Sequence, residues 1–460
     1  RQPYHLRTLA LKGRIFERQY AQSGNPKDLQ NALSVYLLAD SLVDHLRDTY
    51  RGIGSKNQLA GSARPIYQQG IDCAFKLWKQ TGAQDFLNTA WRLVEKSKSI
   101  ELLESLRETE AKQTAALRPD DLFQENRIKR NLNFYEKLVF EEQAKSEPNS
   151  VRISNWNQQI VALKNTQDSL LSVFKKRYPE YHRLKYNRKI ATIAEVREKL
   201  PVQTALIEYF MGDSILFTFL IDSSQCQIFK QNLDSTFHGK LAIFRTTVHD
   251  FNPENRRTNE QKAADLQNFT KSSHDLFRTL LAEPLSQTPA DKLIIIPDDV
   301  IGYIPFAALL KNPVAPGAPA DYRHLPYLVR DYAIRLEYSG TLLPDNQPAP
   351  RSGGYLGMAP SYPGGTIASR TLTDSLRFAR AFGGLRGGET PALQYNREEI
   401  DLTCSIAGGK TRKDLEATEG FFKKNAPNAG VLHLAMHALT NDVDPLYSTL
   451  LFSGGQADST

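Results

Sequence analysis

Sulfur is scarce in this chain: 460 residues include only three cysteines and three methionines. Cys73, Cys226 and Cys404 are far apart and odd in number, which argues against a disulfide framework and points to a reducing compartment. Long apolar runs are also missing. No stretch approaches the roughly 18 residues a membrane-crossing helix needs, and no charged-then-apolar leader opens the amino end. The first residue is Arg1 rather than methionine, which reads as a processed piece. Nor is the charge one-sided: 58 Lys and Arg stand against 51 Asp and Glu, a net +7, with the two signs interspersed along the chain. Such a surface is a solvated one with a slight basic excess, not a nucleic-acid footprint. A cytoplasmic protein with neither membrane nor nucleic acid as partner is the expectation.

What is present is an ordinary globular composition, 40% hydrophobic and 24% charged, in a chain long enough for two or three cored domains. From Leu6 to about Leu106 the pattern is helical. Tyr20-Ala21-Gln22-Ser23-Gly24 followed by Leu29 to Leu33 matches Trp78-Lys79-Gln80-Thr81-Gly82 followed by Leu87 to Trp91, at a spacing of 58 residues. In each, a helix stops at a glycine able to take the left-handed cap conformation, and the next begins with a small Ala for close packing. The segment resembles tetratricopeptide repeats with lengthened helices, so residues 1–118 are expected to form antiparallel helical hairpins. Hairpins of this kind either present a concave surface to a partner protein or buttress the domain that follows. Residues 119–190 read as two long helices broken near Pro148-Asn149-Ser150, a spacer with a solvated charged face.

After Tyr186 the periodicity changes. Ala205 to Phe210 and Ile215 to Ile221 flank Met211-Gly212-Asp213-Ser214, a hairpin signal. Lys292 to Ile296 is a short apolar run stopped by Pro297, Asp298 and Asp299, the mark of a buried parallel strand entering a loop. Further strands are expected over 333–339 and 354–359, with helices over 236–283, 396–407 and 418–424. Alternation of this kind predicts a mostly parallel, three-layer α/β sheet. Residues 431–436 are apolar apart from His433, so they read as a strand buried on both faces beside Ile294–Ile296. His437 would then stand at its carboxyl end, where ligands and catalytic groups collect. A histidine there can serve as general base or acid. His433 and His437 are a His-x-x-x-His pair on a strand, with no carboxylate or cysteine at ligand spacing, so no metal or other cofactor is expected.

The series Leu293-Ile-Ile-Ile-Pro-Asp, Gly302-Tyr-Ile-Pro-Phe-Ala-Ala-Leu, Tyr327-Leu-Val-Arg-Asp-Tyr-Ala-Ile, Val431-Leu-His-Leu-Ala-Met-His-Ala and Asp444-Pro-Leu-Tyr-Ser resembles the CHAT domain over roughly residues 190 to 454. CHAT domains are caspase-like relatives of clan CD peptidases, often preceded by tetratricopeptide repeats. The resemblance implies a caspase-like three-layer sandwich over 191–460 and a cysteine endopeptidase with a Cys–His dyad. It maps the base onto His437, leaves His433 structural, and gives the Ala438 backbone N–H a share in stabilising the oxyanion. Where the family often has glycine after the histidine, this chain has Ala438. The family's nucleophile lies on the next strand in an Ala-Cys step, and none of Cys73, Cys226 and Cys404 fits that place. The expectation is therefore that another part of the domain supplies the thiol, either on the same polypeptide or as a separate chain after cleavage, and that a protein partner or cleavage activates the enzyme through the repeats. Asp298, Asp299 and Asp442 are loop acids near the expected catalytic edge: either solvated surface groups or a pocket favouring a basic residue before the scissile bond. The rival class is a catalytically inactive CHAT scaffold. By resemblance alone, the biology implied is bacterial defence and programmed cell death.

Overall fold

The computed structural model describes residues 2–49, 53–98, 107, 111, 117–143, 145, 147–179, 181, 189–249, 258–315, 321–345, 353–362, 393–439 and 448–453. The chain forms two compact units, residues 1–125 with 166–347, and residues 126–165 with 348–460.

The first unit opens with helices α1 (Gln2–Ser23), α2 (Pro26–Thr49), α3 (Ile53–Thr81) and α4 (Gln84–Lys96). The turns between α1 and α2 and between α3 and α4 are the equivalent ones. Gly24 and Gly82 sit there with φ of +65° and +69°, and each N–H returns to the carbonyl four residues back, on Tyr20 and Trp78, at 2.8 Å. A side chain at either position would strain the left-handed backbone. The small residues expected at the helix contacts, Ala32 and Ala90, are buried. Further on, α5 (Pro119–Gln143) and α6 (Ser150–Arg177) run antiparallel, as the cross-pairs Glu136–Lys164 at 3.3 Å and Asp121–Arg177 at 3.1 Å require. Asn149 Oδ1 accepts the Arg152 N–H at 3.0 Å, starting α6 just after Pro148. Among the described residues, no helix is long and apolar enough to cross a membrane.

A five-stranded mixed sheet follows: β1 (Thr204–Met211), β2 (Ile215–Ile221), β3 (Cys226–Asn232), β4 (Lys292–Ile296) and β5 (Ala333–Leu336), in the order β3-β2-β1-β4-β5. The hairpin strands β1, β2 and β3 are antiparallel, whereas β1, β4 and β5 run parallel. Every residue of β1 is buried because the sheet is covered on both faces. Leu206 and Phe210, with Phe217 and Phe219 of β2, pack in one core with Tyr36, Leu77 and Trp91 of the helical hairpins. On the opposite face Ala205, Ile207 and Tyr209 pack with Phe244 of α8 (Phe237–His249) and Phe269 of α9 (Asn259–Phe277); a short α7 (Ile193–Lys199) precedes β1. This face of the helical hairpins is thus one layer of a three-layer core. Beyond β4 the chain forms 3₁₀ turns at Asp299–Tyr303 and Phe306–Ala308.

Polar groups tie that layer together. Trp91 Nε1 donates to the Ala191 carbonyl at 2.8 Å, and its ring meets Phe219 edge-on with centroids 5.4 Å apart. Glu95 accepts the backbone N–H groups of Gly340 at 2.9 Å and Thr341 at 2.6 Å. A Cβ on Gly340 would lie 2.7 Å from the Trp91 ring. Gly340→Ala is therefore expected to destabilise the protein by about 1–3 kcal/mol through overpacking, read as a lower urea midpoint with unchanged slope.

The second unit contains a parallel sheet in the order β7-β6-β8, built from β6 (Tyr355–Pro360), β7 (Gly409–Asp414) and β8 (Val431–Leu434). Helix α10 (Asn396–Ala407) covers one face, packing Ile400 against Ala359 and Ala435. On the other, Phe421 and Phe422 of α11 (Glu419–Asn425) pack against Leu356, Met358 and Leu434. Beyond β8, β9 (Ala438–Leu439) pairs antiparallel with β10 (Thr449–Leu450). Helical hairpins followed by layered α/β sheets are the architecture expected. Two details differ from the expectation. Among the described residues the strand neighbours of Ile294–Ile296 are β1 and β5, and that of β8 is β6. Residues 431–436 are not a doubly buried strand: β8 stops at Leu434, and Val431 and Leu432 are 56% and 39% exposed. The cause is position, since among the described residues β8 has one strand neighbour, β6, and an edge strand buries less of an apolar run than a central one.

Candidate active site

Two parallel strands, β6 and β8, end side by side. Their register continues one residue past β8, where the Ala435 N–H donates to the Met358 carbonyl at 2.9 Å. Asn396, the buried first residue of α10, then spans both strand ends: its Nδ2 donates to the carbonyls of Pro360 at 3.1 Å and Ala435 at 3.3 Å. One side-chain amide thereby ties the carboxyl ends of the two strands together. The two chains that leave this point carry Tyr362 and His437.

These two residues remain together. The Tyr362 hydroxyl accepts the His437 backbone N–H at 3.3 Å and donates to the Leu451 carbonyl at 2.8 Å. Their ring centroids are 5.3 Å apart, tilted by 46°. The Leu451 N–H donates to the His437 carbonyl at 2.9 Å. Burial raises the Tyr362 hydroxyl above its ordinary range, and the His437 N–H offsets this only in part, so the phenol keeps its proton at neutral pH. His437 thus lies three residues past the end of β8, between that strand and β9, with its backbone held from both sides. In parallel α/β sheets this edge is where ligand-contacting groups gather.

The pairing also fixes the neighbouring amide. His437 and Leu451 face each other in the hydrogen-bonded position, so Ala438 and Leu450, the next pair, occupy the non-hydrogen-bonded one. Antiparallel alternation then turns the Ala438 N–H away from β10.

His433 has a different setting. Its Nδ1 meets the Tyr355 hydroxyl at 2.8 Å and its Nε2 meets Glu399 of α10 at 2.8 Å. Nδ1 thus ties the edge strand to β6 and Nε2 ties it to the helix above. The side chain is 26% exposed, because it lies on an edge strand and not within a packed one. The bend at Met436 also breaks the alternation that would have aligned His433 with His437.

Asp298 and Asp299 belong to the first unit, whereas His437 belongs to the second. Asp298 is occupied: Arg64 of α3 pairs with it at 2.6 Å, and its Oδ2 also accepts the Met211 N–H at 2.6 Å. The same guanidinium donates to the Met211 carbonyl at 2.5 Å and lies 4.9 Å over the Phe210 ring. Asp299 takes a positive φ of 52° at the start of a 3₁₀ turn. Asp442 lies outside the described residues, as do residues 444–447 of the Asp-Pro-Leu-Tyr-Ser motif. Of the cysteines, Cys73 is buried in the helical core, and burial raises its thiol far above the ordinary range. Burial pushes the Cys226 thiol up to about 12. Both are the reverse of an activated nucleophile. Cys404 lies on α10.

Sequence reasoning singled out neither Tyr362 nor Asn396. The available signals were an aromatic two residues after a strand-ending Pro360, and an asparagine opening the next helix.

No curated protein matches the chain. Among solved structures, it is similar to a de novo designed helical repeat protein at 15% identity, over 43% of this chain and 80% of that one, with a TM-score of 0.19 that is too low to indicate a shared fold. Among family models, the CHAT domain matches residues 270–460. That span, which holds β4 to β10 and the edge presenting His437, is thus similar to the CHAT domain, a family of caspase-like fold associated with cysteine peptidases.

Proposed function

We propose that the protein is a cysteine endopeptidase of CHAT type in which His437 is the general base and acid of a Cys–His dyad. The observation that carries this reading is the place of His437, just past a parallel strand at the carboxyl edge of a sheet within the matched span. There the imidazole would take the thiol proton and return it to the leaving amine. The outward-turned Ala438 N–H would donate to the oxyanion of the tetrahedral intermediate. His433, held at both nitrogens, would be structural. The thiol would come from a part of the domain other than Cys73, Cys226 or Cys404, on the same polypeptide or on a cleaved and still associated one.

Residues 1–118 would form the repeat region, 119–190 the helical spacer and 191–460 the caspase-like part. Protein substrates, and activation by a partner or by cleavage acting through the repeats, complete the proposal. Its support is that α3 and α4 supply Arg64 and Glu95, which hold Asp298 after β4 and the Gly340–Thr341 turn. A partner that moved these helices would strain those loops directly. Of the acids, Asp298 is engaged by Arg64, which leaves Asp299 and Asp442 as the pocket candidates for a basic side chain. The inactive-scaffold reading draws on the high thiols of Cys73 and Cys226.

The test is a peptide-library digest by the complete protein, analysed by mass spectrometry alongside thermal melts. New termini that vanish in a folded His437→Ala variant uphold the protease. Unchanged cleavage in that variant refutes the assignment of His437, and no cleavage in either leaves the scaffold reading in its place.

A further inference from the structure

An antiparallel hydrogen-bonded pair normally exchanges two N–H···O bonds. At His437 and Leu451 one of them is made directly, from the Leu451 N–H to the His437 carbonyl at 2.9 Å. The other is interrupted. The Tyr362 hydroxyl stands between the His437 N–H, which it accepts at 3.3 Å, and the Leu451 carbonyl, to which it donates at 2.8 Å. A phenolic hydroxyl can fill this gap because it carries one donor and two acceptor lone pairs. Its proton is available for the donation because burial holds the hydroxyl above its usual range.

One of the two ladder bonds between His437 and Leu451 is direct and the other is relayed through the hydroxyl. The Tyr362 ring also packs against the imidazole at 5.3 Å between centroids, which restricts the side chain from the same direction. Tyr362 is itself fixed, since it follows β6 by two residues and the end of β6 is tied to that of β8 through Asn396. A chain of specified contacts therefore runs from the sheet through Asn396 and Tyr362 to both the backbone and the ring of His437.

We infer that Tyr362 is a positioning residue for His437: its hydroxyl replaces one ladder hydrogen bond and so sets the direction of the imidazole and of the following Ala438 N–H. This inference rests on the reading of His437 as the catalytic base. The hydroxyl bridge and the ring contact both bear directly on His437, so removing the bridge is expected to shift its aim without loss of core packing. Misplacement of a reacting group by about an ångström can cost on the order of 100-fold in rate.

The test uses Tyr362→Phe in the complete protein, which retains the ring and deletes only the hydroxyl, with Tyr362→Leu as the variant that also removes the ring. Expected for Tyr362→Phe is a fall in kcat of about 10- to 100-fold with KM and melting temperature unchanged, together with faster hydrogen exchange at the His437 amide. Tyr362→Leu should lose more of kcat. Wild-type kcat and wild-type exchange at His437 in a folded Tyr362→Phe protein would overturn the inference while His437→Ala still abolished activity. Should His437→Ala itself retain full activity, the catalytic reading fails, and nuclear magnetic resonance of labelled histidine then decides the positioning separately. Altered His437 ring shifts in Tyr362→Phe uphold it, and unaltered shifts overturn it.

Discussion

Replacing His437 by alanine is expected to lower kcat/KM for peptide-bond cleavage by at least about 10²–10⁴-fold, the usual worth of a positioned acid–base group. The loss should lie in kcat, because the imidazole acts on protons in flight and not on the bound substrate. Without it the thiol is mostly protonated at neutral pH, and the departing amine finds no acid. Folding should survive. The N–H and carbonyl of His437 are the groups that hold the segment, to Tyr362 and Leu451, and alanine keeps both. The ring contact with Tyr362 is lost, worth about 0.5–1.5 kcal/mol, and the backbone ties that remain should keep the variant folded. His433→Ala should behave in the opposite way. It loosens the edge strand by removing its side-chain ties to Glu399 of α10 and Tyr355 of β6, and should show in the melt more than in kcat.

The second large effect concerns the buried charges where the helical hairpins meet the five-stranded sheet. Glu208 is fully buried on β1, with Lys98 Nζ 3.3 Å from its Oε1. Burial raises the Glu208 carboxyl well above its ordinary range, the charge of Glu95 adds to this, and Lys98 opposes it. Glu95 is meanwhile served by two backbone N–H groups. Burial and the neighbouring Glu95 thus both favour the protonated form of Glu208. Lys98→Ala would strand the charge of Glu95 and is expected to cost about 3–5 kcal/mol in denaturant melts, as removal of one partner from a buried ionic group does.

Glu208→Gln should do the reverse. A folded-state pKa raised above the unfolded value means that the native protein binds the extra proton, so stability is highest below the unfolded carboxyl range. It then falls as pH rises from there toward the folded pKa, by up to about 1.4 kcal/mol per pH unit. Glutamine imitates the protonated acid and removes this slope. The variant should therefore gain on wild type as pH rises from 4.5, the ordinary carboxyl value, toward the raised folded one. A stability curve with the same slope in both proteins would show that Glu208 is not the protonated partner.

Local chemistry made much of this legible in advance. Gly24 and Gly82 announced their turns because a left-handed residue at a helix end favours glycine. The hairpin at Met211–Ser214 and the helix at 396–407 followed from turn chemistry and spacing. The strand Gly409–Asp414 went unread, since Gly-Lys-Thr-Arg-Lys-Asp holds no apolar alternation and becomes a strand only by pairing with β6. The apolar run at 431–436 misled for the complementary reason: composition suggests burial, but an edge position decides it. Tertiary ties lay out of reach altogether. Arg64 and Asp298 are 234 residues apart, and the bridge from Tyr362 to His437 spans 75. His437 itself was found through a strand-end histidine and a family resemblance, whereas the groups that hold it needed the folded chain.

The central claim is that His437 serves a thiol, and the most direct measurement is the rate at which each cysteine of the complete protein is alkylated by iodoacetamide at pH 6, with and without His437→Ala. An ordinary thiol, with a pKa of about 8.5, is almost wholly protonated there and reacts slowly, while one paired with an imidazolium is largely thiolate. The account predicts one cysteine, other than Cys73, Cys226 and Cys404, that reacts at least about tenfold faster than the rest and drops to their rate in the variant. The same rates at every cysteine in both proteins would contradict it.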